Sequence, residues 1–241
     1  MELADYLDST YLKTPKQSGL SDSQTLEQVH KLTREAIAKG FFAIMIRPDY
    51  VRSVRMLIDE LKSATKLGTV IDFPEGRGSI TSKLAEAQRA IADGADELDF
   101  VIDYNAFKTG NYEKVKEEVE SCTRLCLNFD KTIKWIIETA ALSDEEIAGI
   151  SKLIKDIVLE IPEISTEKVY LKSSTGFYET PDGSPNGANE HVIKIMLVNG
   201  APLPVKASGG VKTKEEAKAM IKLGVKRIGT SSAAQIVSEQ K

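Results

Sequence analysis

The sequence predicts a single-domain (β/α)₈ barrel, and three observations carry that prediction. The chain has 241 residues, close to the roughly 250 typical of such barrels. Short runs rich in β-branched and aromatic residues alternate, about eight times over, with longer stretches whose apolar residues recur at helical spacing. No glycine-rich dinucleotide fingerprint follows the first strand, which favours a closed barrel over an open doubly wound sheet. Two ordinary domains would each fall near the lower end of domain size, so one domain over residues 1–241 is expected.

The first strand is expected at Tyr6–Asp8, followed by a helix with Leu26, Val29, Thr33, Ala36 and Ile37 on one side. Further strands are expected at Phe41–Ile46, Thr69–Phe73, Leu98–Ile102, Thr132–Ile137, Val169–Lys172, Leu203–Lys206 and Arg227–Thr230. Between them, helical faces read Val51, Val54, Ile58, Leu61, then Ile80, Leu84, Ala87, Ile91, then Val115, Val119, Cys122, Cys126. Ile147, Ile150, Ile154 and Ile157 follow, and late in the chain Ala217, Met220 and Ile221. Gly40, Gly68, Gly94 and Gly224 stand near ends of helical stretches, where a left-handed C-cap suits glycine. Tyr178–Asn189 holds two prolines and two glycines and is expected to be a loop.

Hydrophobic content of 41% and charged content of 28% are those of an ordinary globular protein. A net charge of −4 argues against a dominant nucleic-acid surface. The start, Met1-Glu2-Leu3-Ala4-Asp5, lacks the basic stretch and apolar run of a secretory signal, and no apolar run approaches the ~20 residues of a membrane span. Cys122 and Cys126 have the spacing of one helix face, not of a redox or zinc pair, and read as core. A cytoplasmic protein is expected.

The period of two along a strand then exposes an anomaly. Asp99 shares a face with Val101, Lys134 with Ile136 and Glu138, Lys172 with Tyr170, and Lys206 with Ser208. The opposite faces are apolar and suit helices. In a barrel the charged faces converge on the interior, with Asp8 and Asp72 as further candidates. Burying ions costs several kcal/mol each unless they are paired. The competing reading is internal salt bridges alone, or strand registers wrong by one. One slipped strand is conceivable; four slipped in the same sense are not. A free lysine, with pKa about 10.4, is only roughly 0.1% neutral near pH 7.5. A neighbouring ammonium or desolvation frees the amine to attack a carbonyl. The resulting iminium withdraws electrons from the adjacent carbon, which is Schiff-base aldol chemistry. Asp99 would shuttle protons. Spacing alone leaves open which lysine reacts.

Barrels often seat phosphate in the loops after strands seven and eight and at a short helix N-terminus. Here those loops hold Ala207-Ser208-Gly209-Gly210-Val211 and Gly229-Thr230-Ser231-Ser232-Ala233, with Ser173-Ser174-Thr175-Gly176 after strand six. Glycines let backbone N–H groups approach an anion, and the serines add donors. Lys212 is either an added charge or a solvated surface residue.

Taken together, Leu7-Asp8-Ser9-Thr10, Gly94–Ile102, Lys134–Thr139, Lys172–Phe177, Val205–Thr213 and Ile228–Ser232 resemble the signature strands of the deoxyribose-phosphate aldolase family, in order, over residues from about 5 to about 235. The resemblance implies a class I aldolase needing neither metal nor other cofactor. Its substrates would be 2-deoxyribose 5-phosphate, glyceraldehyde 3-phosphate and acetaldehyde, and it would form a homodimer or larger homo-oligomer. By position Lys172 would form the Schiff base, Lys206 would depress its pKa and move protons, and Asp99 would join the relay. Lys134, Asp8 and Thr10 would line the site, and Gly176, Gly209, Gly210, Ser231 and Ser232 would hold phosphate. The sequence departs from the family pattern in two places. Tyr178–Asn189 looks longer than usual, either shaping aldehyde preference or forming a tolerated insertion. Met45 stands where many members carry cysteine. His30 and His191 receive no catalytic role. The alternatives are a transaldolase-like or fructose-bisphosphate aldolase-like lyase, or a non-catalytic sugar-phosphate-binding barrel. Metal-dependent chemistry would want converging histidines.

Overall fold

The structure is a computed structural model that describes residues 2–238. Its strands are β1 (Leu7–Tyr11), β2 (Ala43–Ile46), β3 (Lys66–Ile71), β4 (Glu97–Val101), β5 (Thr132–Ile136), β6 (Val169–Lys172), β7 (Val205–Ser208) and β8 (Arg227–Thr230). All pair in parallel in sequence order and the ring closes through β1 and β8, giving the expected eight-stranded barrel. One main helix follows each strand: α1 (Asp22–Ala38), α2 (Val51–Glu60), α3 (Ile80–Ala92), α4 (Tyr112–Asn128), α5 (Asp144–Leu159), α6 (Glu190–Gly200), α7 (Lys214–Leu223) and α8 (Ala233–Ser238).

Local chemistry starts these helices where the sequence allows. Ser21, Ser143 and Thr213 each accept from the backbone three residues on, and Gln24, Glu146 and Glu216 return the bond in capping boxes. Gly40, Gly94 and Gly224 take left-handed conformations after α1, α3 and α7, as expected. Gly68 does not: it lies inside β3, which starts at Lys66 rather than Thr69. A Cβ there would come 2.2 Å from the Met45 Sδ, so residue 68 is small because Met45 fills its space. Lys62, with φ of 51°, turns the chain after α2 instead.

The outward strand faces carry Leu98, Phe100, Ile133, Trp135, Leu171 and Val205, all buried under the helices. Full burial of each such side chain contributes about 1.5–3 kcal/mol. Cys122 and Cys126 sit in this layer on α4 as free, buried thiols, and burial pushes Cys122 up to about 12. Inside the barrel, Met45 and Val70 pack with Leu12, Phe73 and Phe177, which makes the β2–β3 sector apolar. Strands β4 to β8 and β1 supply the charged sector. No helix among the described residues is long and apolar enough to cross a membrane.

Candidate active site

Parallel register sets the charged side chains side by side. Asp99 pairs in the ladder with Lys134, Ile136 with Lys172, Lys172 with Lys206, and Asp8 with Gly229. The Asp99 carboxylate accepts from Lys134 at 2.8 Å through Oδ1, and through Oδ2 from Lys172 at 2.8 Å and Lys206 at 2.9 Å. Lys134 also donates to Glu97 at 2.7 Å, and the Lys206 Nζ lies 2.6 Å from Asp8. Arg227 closes the ring: two of its nitrogens reach the Glu97 carboxylate at 3.0 Å each, and Nε reaches Asp8 at 2.8 Å. Its guanidinium stacks 3.6 Å from the Phe42 ring centroid, which covers the strands' N-terminal end. A Cβ at residue 229 would come 3.0 Å from the Lys206 Cε, so Gly229 leaves the room that Lys206 needs.

The cluster therefore holds three carboxylates, Asp8, Glu97 and Asp99, against four bases, Lys134, Lys172, Lys206 and Arg227, all buried. If all are ionised, one positive charge is in excess. Burial works against every charge here. For Asp99, Lys134, Lys172 and Lys206 overcome that cost and hold the carboxyl well below the ordinary range. For Lys134, burial is outweighed by Asp99 and Glu97, so its pKa is raised. Asp8 is likewise lowered despite burial, by Arg227, Lys206 and Lys134. Lys172 goes the other way. Burial is the largest influence on it and, with the nearby Lys206 and Lys134, overcomes the stabilising Asp99 and brings the amine down to about 8. Near pH 7.5 roughly a quarter of it is then neutral, against about 0.1% for a free lysine. Losing that one proton leaves three charges of each sign.

A cavity of about 750 Å³ opens at the C-terminal ends of the strands, where barrel active sites lie. Of the seven clustered groups only Lys172 lines it, together with Thr10, Gly176, Ser208, Gly209, Gly210, Gly229 and Ser231. Gly176, Gly209 and Gly210 all have φ between 74° and 82°, the left-handed region that glycine enters without steric cost. Serines lace this rim. Ser173 donates through its hydroxyl to the Ser208 carbonyl at 3.1 Å, and Ser208 to the Ser174 carbonyl at 2.5 Å. Thr10 donates to the Asp8 carbonyl at 3.0 Å. Ser232 precedes α8, outside the cavity lining, with its N–H donating to Thr230 at 3.0 Å. Lys212 is exposed at the cavity edge.

Two sequence candidates fall elsewhere. Asp72 does not join the interior cluster: β3 ends at Ile71, and Asp72 takes a φ of 52°. Its carboxylate accepts from Gly78 N at 2.7 Å and lies 3.3 Å from Lys83. The left-handed turn breaks the alternation that would have aimed it inward. Lys83 itself is buried on α3, donating to the Val101 carbonyl at 2.7 Å and pairing with Glu118. Glu138 also lies beyond its strand, at φ 54°, and accepts from Thr175 N at 3.2 Å and from the Thr175 hydroxyl. It thereby braces the turn after Lys172. His30 and His191 sit on the outer helices, against Ser53 and Asp144. Sequence reasoning missed Glu97 and Arg227. The signal was there: Glu97 lies two residues before Asp99, and Arg227 two before Gly229.

Residues 8–235 match the DeoC/LacD family aldolase. The chain is 37% identical to the deoxyribose-phosphate aldolase of Thermococcus gammatolerans, over 98% of this chain and 96% of that protein. It is 37% identical to the deoxyribose-phosphate aldolase of Lactiplantibacillus plantarum, over 99% of this chain and 100% of that one. The solved deoxyribose phosphate aldolase of Aeropyrum pernix, described as having a unique tetrameric structure, is similar with a TM-score of 0.77 at 30% identity, covering 98% of this chain and 89% of that one.

Proposed function

The chain belongs to the DeoC/LacD family of aldolases, and from that premise we propose that it reversibly cleaves 2-deoxy-D-ribose 5-phosphate to D-glyceraldehyde 3-phosphate and acetaldehyde through a Schiff base on Lys172. The observation that carries the residue assignment is that Lys172 alone joins the buried charge network to the open cavity, with its amine brought down to about 8.

The neutral Lys172 amine attacks the aldehyde carbon C1 of the open-chain sugar, and loss of water gives the iminium. The C3 hydroxyl then gives up its proton as the C2–C3 bond breaks. The bonding pair moves into an enamine, and C3 leaves as the aldehyde of glyceraldehyde 3-phosphate. Protonation at C2 and addition of water release acetaldehyde and restore Lys172. Lys206 and Asp99 serve the proton transfers. A carboxyl held so far below its ordinary range does not store a proton. Its Oδ2 accepts from both Lys172 and Lys206 and keeps the two amines on one oxygen. Lys134 and Asp8 hold that arrangement from behind, Thr10 lines the sugar side, and Gly176, Gly209, Gly210 and Ser231 take the phosphate, while Ser232, outside the lining, ties the start of α8 to Thr230 behind them. In this reading the whole chain acts as one barrel domain, on small phosphorylated sugars and aldehydes, in the cytoplasm and as a homo-oligomer.

Incubation with 2-deoxyribose 5-phosphate should yield glyceraldehyde 3-phosphate and acetaldehyde in equal amounts, while fructose 1,6-bisphosphate stays intact. Turnover of the bisphosphate instead would shift the substrate to the fructose-bisphosphate aldolase-like alternative. Borohydride trapping of acetaldehyde should quicken about tenfold per pH unit below the Lys172 pKa and level off above about 8, because only the neutral amine attacks. In Lys206→Ala the levelling should move to higher pH, since a cation that disfavours the Lys172 ammonium is gone. An unmoved inflection would separate Lys206 from amine activation.

A further inference from the structure

The loop that follows the nucleophile strand, Tyr178–Asn189, is fitted into the glycine turn after β7, backbone against backbone. A Cβ at Gly187 would lie 2.3 Å from the Gly209 carbonyl carbon, 2.5 Å from its oxygen and 2.7 Å from Gly210 N. None of these atoms can swing aside, because all belong to the main chain. Gly187 is outside the left-handed region, so close approach rather than torsion demands glycine there. Its neighbour completes the joint: the Ala188 N–H is shared between the Ser208 carbonyl at 3.1 Å and the Gly209 carbonyl at 3.0 Å. The Asn186 side chain donates to the Tyr178 carbonyl at 2.6 Å and closes the loop on itself. Gly183, Pro185, Asn186 and Gly187 line the same cavity as Gly209 and Gly210.

We infer that this loop is a working wall of the phosphate seat and that Gly187 is a positioning residue for it, acting through the backbone of Gly209 and Gly210. The inference rests on the phosphate-seat reading above and extends it to a segment that the sequence leaves open as a tolerated insertion. Two glycines in left-handed conformation have many alternative torsions. The direction of their N–H groups is defined only if something outside the turn holds it. Gly187 does this most closely: a Cβ built on Gly209 would meet Gly187 Cα at 3.0 Å, ahead of Gly176 Cα at 3.6 Å and Ser174 Cβ at 3.8 Å, and the Ala188 N–H binds the same turn. The ligand so recognised is a phosphate monoester at the far end of the substrate from Lys172.

The test compares 2-deoxyribose 5-phosphate with unphosphorylated 2-deoxyribose, and uses inorganic phosphate as a competitive inhibitor. In Gly187→Ala, the preference for the phosphorylated sugar should fall by about ten- to a hundredfold, the cost of displacing positioned groups by around an ångström. The fall should appear in KM, with a matching rise in the inhibition constant of phosphate. Asn186→Ala places nothing against Gly209 and should shift the same ratio a few-fold, which keeps the test valid if Gly187→Ala does not fold. Equal losses on both sugars, or an unchanged ratio in both variants of a phosphate-sensitive enzyme, overturn the inference alone. A wild-type protein indifferent to phosphate overturns the phosphate seat, and the inference with it.

Discussion

Lys172→Ala is expected to lower turnover of 2-deoxyribose 5-phosphate by at least about 10⁴-fold, the scale of loss when a covalent nucleophile is deleted. The charge balance makes this a test of chemistry and not of folding. Removing Lys172 leaves Asp8, Glu97 and Asp99 facing Lys134, Lys206 and Arg227, three charges of each sign and the same balance the wild type reaches when Lys172 is neutral. The variant should therefore melt within several degrees of the wild type. Borohydride with acetaldehyde should add two carbons to Lys172 in the wild-type protein and to no interior lysine in the variant. Lys134 and Lys206 are at most 1% exposed and line no part of the cavity, so neither can replace it. An adduct on Lys206 in the wild type would keep the Schiff base and exchange the two roles. Near wild-type turnover in Lys172→Ala would end the covalent mechanism.

The barrel was legible because its signals are local and repeat. Each strand run is bounded by a helix-period stretch, and an alternation such as Leu98-Asp99-Phe100 names its inward residue without reference to any other strand. The inward set Asp99, Lys134, Lys172 and Lys206 follows from that rule alone. The rule failed where strand ends were misplaced. Starting the fourth strand at Leu98 hid Glu97, and extending the third past Ile71 drew Asp72 inward. Both errors are of one or two residues, the scale on which hydrogen-bond pattern and a left-handed turn decide an end. Two further features have no local signal. Gly68 is small because Met45, on the neighbouring strand, needs its space, and Gly187 because the chain at Gly209 passes against it. Which lysine reacts was equally closed to periodicity, since all three share the inward phase. It depends on depth along the barrel axis, and only Lys172 is high enough to meet the cavity.

At that depth the Lys172 amine is held by Asp99, and Asp99→Asn should uncouple amine activation from turnover. The substitution keeps the shape but removes the one negative charge that Lys134, Lys172 and Lys206 share. Two carboxylates would then face four bases, and breaking a buried pair in this way costs about 3–5 kcal/mol. At about 2–4 °C per kcal/mol for a chain of this size, a fall in Tm on the order of 10 °C should result. The kinetic sign is less obvious. Asp99 favours the Lys172 ammonium, so its loss lowers the Lys172 pKa and raises the share of neutral amine at pH 6.5. Trapping of acetaldehyde should consequently reach its plateau at lower pH than in the wild type, opposite to Lys206→Ala. Turnover should still fall by about 10²–10⁴-fold, because an amide offers one uncharged oxygen where the carboxylate used two to hold Lys134, Lys172 and Lys206, and the Lys172–Lys206 pair loses the charged acceptor that aligns it for the proton transfers. Retained turnover would remove Asp99 from the relay. A plateau moved upward in pH would contradict the electrostatic account, since no desolvation of an uncharged asparagine can favour an ammonium more than the carboxylate it replaces.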